Sequence, residues 1–170
     1  MGTVRYTPSV KGVGEILISA RDGFIAELYF IGGRTTPDTL TESQPKPEDE
    51  EVLRALIGEL DAYFLGKLRE FSVPIKPEGT DFRKKVWAAL QTIPYGETIS
   101  YKELAMRINQ PKAIRAVGGA NHNNLISIII PCHRAIGANG KLVGYGGGMD
   151  VKEFLLGLEK NYPTMTLARR

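Results

Sequence analysis

Apolar residues recur along the chain in two rhythms, and the rhythm changes mark its elements. Residues 13–19 and 24–31 are β-rich runs on either side of Arg21-Asp22-Gly23. Asp-Gly is a strong tight-turn signal, so this pattern predicts a β-hairpin closed by Gly32-Gly33. Residues 34–50 are polar and hold three prolines, which predicts an exposed loop. Val52, Leu53, Leu56, Ile57, Leu60 and Phe64 then fall at helical spacing. Glu48, Asp49, Glu50 and Glu51 stand in the first turn, where they suit the positive end of the helix dipole. Residues 71–75 predict a short strand, placed at an edge by Pro74. Residues 76–80 read as a linker, dividing the chain into domains 1–78 and 79–170.

Beyond the linker the pattern is helical. Phe82, Val86, Ala89, Leu90 and Ile93 line one face of a helix entered at Thr80 or Asp81 and ended by Pro94-Tyr95-Gly96. Ser100 and Glu103 form a capping box for a helix buried through Leu104, Ala105 and Ile108. Asn109-Gln110-Pro111 predicts a tight turn with Pro111 at the first position of the next helix, which runs through Ala113, Arg115, Ala116, Gly118 and Gly119. Two short helices so joined predict a helix-turn-helix. Each interior glycine costs a helix about 1 kcal/mol, so an adjacent pair needs a reason. Small side chains admit a close neighbour, either another helix or a nucleic-acid groove. Arg115 among them shifts the weight toward DNA. Residues 126–130 predict a short buried strand leading into Pro131-Cys132-His133-Arg134. A glycine-rich loop follows at 141–148, and Asp150 with Glu153 caps a final helix through Val151, Phe154, Leu155, Leu158 and Glu159. The fold class expected is α+β.

Composition narrows the function classes. The chain has 170 residues, 42% of them hydrophobic, enough for the core of one domain or two small ones. One cysteine excludes an internal disulfide framework, and one cysteine with two histidines, without paired spacing, argues against structural zinc. Residues 1–10 hold no apolar run of signal-peptide length, and no stretch approaches a membrane span, so a soluble cytoplasmic protein is expected. The net charge of +3 is unevenly spread. Residues 1–79 hold nine Lys and Arg against thirteen Asp and Glu, whereas residues 80–170 hold thirteen against six. A basic half beside an acidic one fits a polyanion-binding module with a support domain, and equally a solvated surface.

A lone cysteine is most often an inert buried residue. Cys132 differs in its setting: it follows a predicted strand and Pro131, and it precedes His133 and Arg134. A nearby histidine or positive potential lowers a thiol pKa and generates the nucleophilic thiolate. Adjacent side chains usually diverge, so a water between Cys132 and His133 suits the spacing better than direct contact. An orienting carboxylate is required, and spacing alone selects none. The residues therefore allow a cysteine nucleophile and leave its reaction open.

Ile-Pro-Cys-His-Arg (130–134), after Arg-Ala-Val-Gly-Gly-Ala (115–120) and Ile-Ser-Tyr (99–101), resembles the O6-alkylguanine-DNA alkyltransferases, or methylated-DNA–protein-cysteine methyltransferases. The resemblance runs from Phe82 to Glu159; the first half is similar to the family's ribonuclease-H-like domain in element order only. It implies an N-terminal ribonuclease-H-like α/β support domain and a mostly helical, winged-helix-like C-terminal domain that binds DNA and accepts the alkyl group. Cys132 would take that group irreversibly. His133 would act through water as base, Glu159 would orient it, and Asn124 would hold the turn before the active-site segment. Tyr101 would donate to guanine N3. Arg115 would fill the space left by the flipped nucleotide, with Ala113, Ala116 and Gly118 lining the minor-groove face and Ser100 beside them at the DNA. Backbone groups at Ala135, Tyr145 and Gly146 would read the base, with Lys152 near the pocket loop. No cofactor and no zinc site is implied. Gly146 stands where some members have Ser, and Leu125 and Ser127 where Pro is found; these positions bear on pocket width and alkyl size.

The expected function is therefore single-turnover repair of O6-alkylguanine, with O4-alkylthymine as a second substrate, by a monomer bound to duplex DNA. The rivals are a non-enzymatic module that flags alkylated DNA, and a cysteine hydrolase or redox sensor, which leaves the Ala/Gly-rich helix unexplained.

Overall fold

A three-stranded antiparallel sheet opens the computed structural model, which describes residues 1–33, 36–38, 41–141 and 145–168. Strands β1 (Gly2–Tyr6), β2 (Ile16–Arg21) and β3 (Phe24–Phe30) lie in chain order. The β2–β3 turn has Asp22 and Gly23 at φ 53° and 79°, the left-handed pair whose twist suits hairpin strands. β1 is an element that the hydrophobic pattern did not announce. Helix α1 (Pro47–Phe64) crosses the sheet and buries Val52, Leu53, Leu56, Leu60, Tyr63 and Phe64. Buried Asp49 accepts from the Gly23 N–H at 2.9 Å, and the Tyr6 hydroxyl donates to Asp61 at 2.7 Å, tying helix to sheet.

The strand expected at 71–75 is reduced to one parallel bridge, Ile75 to Ile25. The Glu59 carboxylate takes the N–H groups of Ser72 and Val73, and Pro74 has none to offer, so no ladder can grow.

In the second half, α2 (Asp81–Leu90) starts on the Thr80 hydroxyl, which accepts from Arg83 N–H at 3.2 Å. Helix α3 (Tyr101–Arg107) starts on Ser100 in the same way, through Glu103 N–H at 3.1 Å. Helix α4 (Ile114–His122) follows. Its N-cap is Ala113, so Pro111 lies in the turn and not at the first helical position; Asn109, at φ 59°, reverses the chain before it. Trp87 fixes α2 to α4 by donating to the Ala120 carbonyl at 2.9 Å. A two-residue parallel pair, β4 (Ile99–Ser100) with β5 (Ala135–Ile136), joins the start of α3 to the segment after Cys132. Helix α5 (Met149–Ala168) begins before Asp150, which therefore sits in the first turn rather than at the cap. Of the glycine-rich loop, residues 142–144 lie outside the described residues.

Residues 126–130 form no strand, although Ile126, Ser127, Ile128 and Ile130 are all buried. Ile128 adopts φ 72°, and Ile130 N–H bonds back to the Ile126 carbonyl at 3.0 Å. Asn124 makes the coil possible: its amide receives Ile126 N–H at 3.1 Å and donates to the Ile130 carbonyl at 2.8 Å, using groups that a ladder would need. Ile126 also bridges to Leu28 at the free edge of β3 (Leu28 N–H to Leu125 carbonyl, 2.8 Å). The buried apolar residues of both halves form one continuous cluster.

Candidate active site

Cys132 heads a single 3-10 turn, Cys132–Arg134, whose three side chains all point inward. Pro131 precedes it, and Cys132 N–H bonds to the Ile130 carbonyl at 2.7 Å. From α5, Glu159 reaches the same point. His133 Nε2 lies 2.6 Å from Glu159 Oε2, with both side chains fully buried. Arg134 binds the carboxylate in a fork, Nε to Oε1 at 2.8 Å and Nη2 to Oε2 at 3.0 Å, and gives Nη1 to the Ile93 carbonyl at 2.8 Å. The Tyr63 hydroxyl of α1 donates to Oε2 at 2.6 Å, and Gly96 N–H lies 3.4 Å from Oε1.

These contacts fix the protonation states. Burial opposes ionisation of Glu159, but His133 and the Arg134 fork hold it well below the usual carboxylate range. Burial pushes His133 down, against the pull of Glu159, and the charges of Arg134 and Lys152 push the same way. His133 is therefore a neutral imidazole whose Nε2 carries the proton given to Glu159. Its Nδ1 is left as an acceptor, buried and without a partner among the described residues. Burial likewise pushes the Cys132 thiol up; Asn124, Tyr145 and the Lys152 charge pull it down without prevailing. The resting group is a thiol beside a neutral base.

Around this centre stand other residues singled out from the sequence. Lys152, fully buried, donates to the Ala135 carbonyl at 2.7 Å, and its Nζ lies 5.9 Å from the Tyr101 ring centroid. Burial lowers its pKa to about 8, with the Cys132 thiolate acting the other way. The Tyr101 hydroxyl receives the Asn121 amide at 3.4 Å and is pushed up to about 12, by burial first and then by Cys132. Buried Tyr145 faces the thiol and Ser127; burial first, then Cys132, push its hydroxyl up, and Ser127 acts the other way. Gly146 and Gly147 pack on the N-terminal half: a Cβ at Gly33 would meet the Gly146 carbonyl, and one at Gly147 the Phe30 ring. Among the described residues no cluster of three His, Cys, Asp or Glu is placed to hold a metal.

A second surface lies on α4. Arg115 and Ala116 are exposed, Ala113 and Gly118 half-buried, and a Cβ added at Gly118 or Gly119 would meet nothing within 4 Å. No helix packs against these glycines, which leaves a shallow, backbone-lined face. Ser100, spent on its cap, borders α3.

Arg134 and Tyr63 were not among the sequence's site residues, although both bind Glu159. Arg134 belongs to the motif and was legible as a charge; Tyr63 falls on the buried face of α1, one turn after Leu60 and two after Leu56, where it reads as core. Asn121, buried beside Tyr101, had no sequence signal.

The buried cysteine turn lies in a helix-turn-helix half that packs against an α/β half. Two family models agree with that division: "6-O-methylguanine DNA methyltransferase, ribonuclease-like domain" matches residues 5–77, and the DNA binding domain of the same family matches residues 81–161. The chain is 56% identical over 158 residues to the methylated-DNA–protein-cysteine methyltransferase of Mycobacterium bovis, covering 93% of each. It is 48% identical over 149 residues to that of Methanosarcina barkeri, covering 88% of this chain and 92% of the relative. The crystal structure of Mycobacterium tuberculosis OGT in complex with DNA superposes with a TM-score of 0.83 at 41% identity, over 95% of this chain and 94% of that one. The chain belongs to the methylated-DNA–protein-cysteine methyltransferases, enzymes of DNA repair.

Proposed function

We propose that this protein removes the alkyl group from O6 of guanine in duplex DNA by transferring it irreversibly to Cys132. The observation that carries the reading is the buried His133–Glu159 pair directly after buried Cys132, with Nδ1 of a neutral His133 left as acceptor among the described residues. The open, small-residue face of α4 docks in the minor groove, as wedge-inserting proteins do, and Arg115 fills the stack vacated by the flipped nucleotide. That the related Mycobacterium tuberculosis protein is known bound to DNA supports DNA as the partner. Phosphate contacts from the basic half hold the duplex without reading sequence.

In the pocket the base is read by backbone groups at Ala135, Tyr145 and Gly146. A water between the thiol and His133 Nδ1 passes the proton to the imidazole, and the imidazolium is held by Glu159. Sγ then attacks the alkyl carbon, so that the S–C bond forms as the C–O6 bond breaks. The electron pair of the broken bond stays on guanine, where the Tyr101 hydroxyl meets the growing charge at N3. Lys152 steadies the thiolate, and the imidazolium proton finally neutralises the base through solvent. A thioether has no resolving thiol here, so each molecule reacts once. The same pocket takes O4-alkylthymine as a second substrate. The protein works as a monomer on chromosomal DNA, in the cytoplasm.

Intact mass measurement after incubation with an O6-methylguanine duplex tests the reading. One added methyl group per protein, on Cys132, with product levelling off at the protein concentration, is the expected result; Cys132→Ser should gain none. Several turnovers per molecule, or tight lesion binding without any mass change, would overturn it, the latter in favour of a lesion-flagging module.

A further inference from the structure

Tyr63 lies 96 residues before Glu159, in the half of the molecule that holds none of the acceptor chemistry. Its ring is wholly buried, edge-on to Phe64 at 5.4 Å and to Tyr95 at 6.4 Å, and tilted against Phe71 at 5.4 Å. Phenylalanine would serve that packing equally well. What the hydroxyl adds is a 2.6 Å hydrogen bond to Glu159 Oε2, the oxygen that also receives His133 Nε2 at 2.6 Å and Arg134 Nη2 at 3.0 Å.

We propose that Tyr63 is a positioning residue for alkyl transfer: by sharing Oε2 with the imidazole, it limits how strongly the carboxylate can hold a proton on His133. The inference rests on the reading of His133 as base for Cys132. An oxygen serving several donors divides its charge among them. Removing the Tyr63 donor strengthens the bond to His133, and the cationic imidazolium gains more from that than the neutral ring. The other titratable or charged groups facing the pair are Arg134 and Cys132 from the 3-10 turn, Lys152 from α5, and Tyr145 from the loop before α5. All of them remain when Tyr63 changes. The N-terminal half thus supplies a working part of the centre as well as a scaffold.

The test follows single-turnover transfer from an O6-methylguanine duplex across about pH 5 to 9, the range in which histidine titrates. It uses the full chain as wild type, Tyr63→Phe and Leu60→Val. Tyr63→Phe should move the acid limb of the rate profile upward by about one pH unit, the low end of what a changed partner does to a titrating group. Leu60→Val, one turn earlier on the same buried face, should lower the melting temperature and leave that midpoint in place. Fluorotyrosine at position 63, a stronger donor, should move the midpoint downward, and this arm stands even if Tyr63→Phe fails to fold. Coincident midpoints for wild type and the position-63 variants, or an equal shift in Leu60→Val, would overturn the inference. A wild-type chain that transfers nothing would overturn the proposed function itself.

Discussion

Glu159→Gln is an isosteric change that removes one buried charge, and two separate costs follow from the geometry. The carboxylate accepts from His133, Tyr63, both arms of the Arg134 fork and Gly96. A glutamine oxygen can replace only one carboxylate oxygen; its amide then points a donor at another donor, Arg134 Nε or His133 Nε2. The guanidinium keeps its bond to the Ile93 carbonyl but loses its counter-charge. Breaking a buried ion pair from one side costs about 3–5 kcal/mol. At roughly 2–4 °C per kcal/mol for a chain of this size, the melting temperature should fall by about 6–20 °C. The rate should fall as well, because the imidazolium loses its partner; general-base contributions of about 10²–10⁴-fold set the scale. Single-turnover transfer from free O6-benzylguanine, at a temperature where near-UV circular dichroism shows both proteins folded, separates rate from stability. The double variant Glu159→Gln with Arg134→Met removes the stranded charge, so it should regain much of the stability and none of the rate. A stability loss below about 1 kcal/mol in the single variant, or recovery of rate in the double, would refute the account of Glu159 as a charged anchor.

Three further outcomes follow from the same geometry. Gly147→Ala would place a Cβ 2.6 Å from Phe30 Cδ2 and 2.9 Å from Tyr145 Cε2, so it should cost about 1–3 kcal/mol in urea unfolding and slow transfer; indifference in both would mean that the loop is not braced by these rings. Arg115→Ala should slow duplex repair by about tenfold or more while sparing free O6-benzylguanine, since loss of flipping support acts on duplex alone; equal losses would make Arg115 a pocket residue. The pKa of His133 lies below 6.5 and that of Glu159 below 4.5, so the folded state binds fewer protons than the unfolded one in acid. The stability that His133 and Glu159 contribute should therefore be complete above pH 6.5 and fall in two stages below it, while the buried Lys152 ammonium, lowered to about 8, adds a separate rise above that pH; transfer should hold its rate down to pH 6.5, and a decline already under way between pH 8 and 7 would place the proton acceptor elsewhere.

Local signals were the legible ones. Asp22-Gly23, the Ser100 cap and the periodicity of α1 each act within a few residues, and each element formed where the pattern placed it. The Pro-Cys-His-Arg motif was legible because its residues are contiguous, whereas the opposed charge of the two halves fitted a polyanion-binding module and a solvated surface equally well. The misread segments depend on partners distant in sequence. An apolar run such as 126–130 looks the same whether it forms a strand or coils around an asparagine amide, and Asn124 decided the matter. Residues 71–75 lost their ladder to Glu59, thirteen positions away. Tyr63 had no signal of its own, because a buried tyrosine on a helix reads as packing until its hydroxyl's partner is known.

Assembly order gives the Glu159 anchor a consequence during synthesis. Chains emerge N-terminus first, and 26 residues separate His133 from its carboxylate. Until α5 docks, the imidazole has no anchor, Arg134 has no counter-ion, and Cys132 is an ordinary thiol on an unfinished chain. In the proposed reaction the alkyl acceptor is thus armed only when α5 docks, after the sheet and helix-turn-helix that support it have been made. Message breakage or proteolysis before residue 159 would yield a fragment that keeps the cysteine and the DNA-facing helix but cannot complete the repair. Intact docking of α5, more than abundance of the polypeptide, would then set how much of the proposed repair the chain can perform.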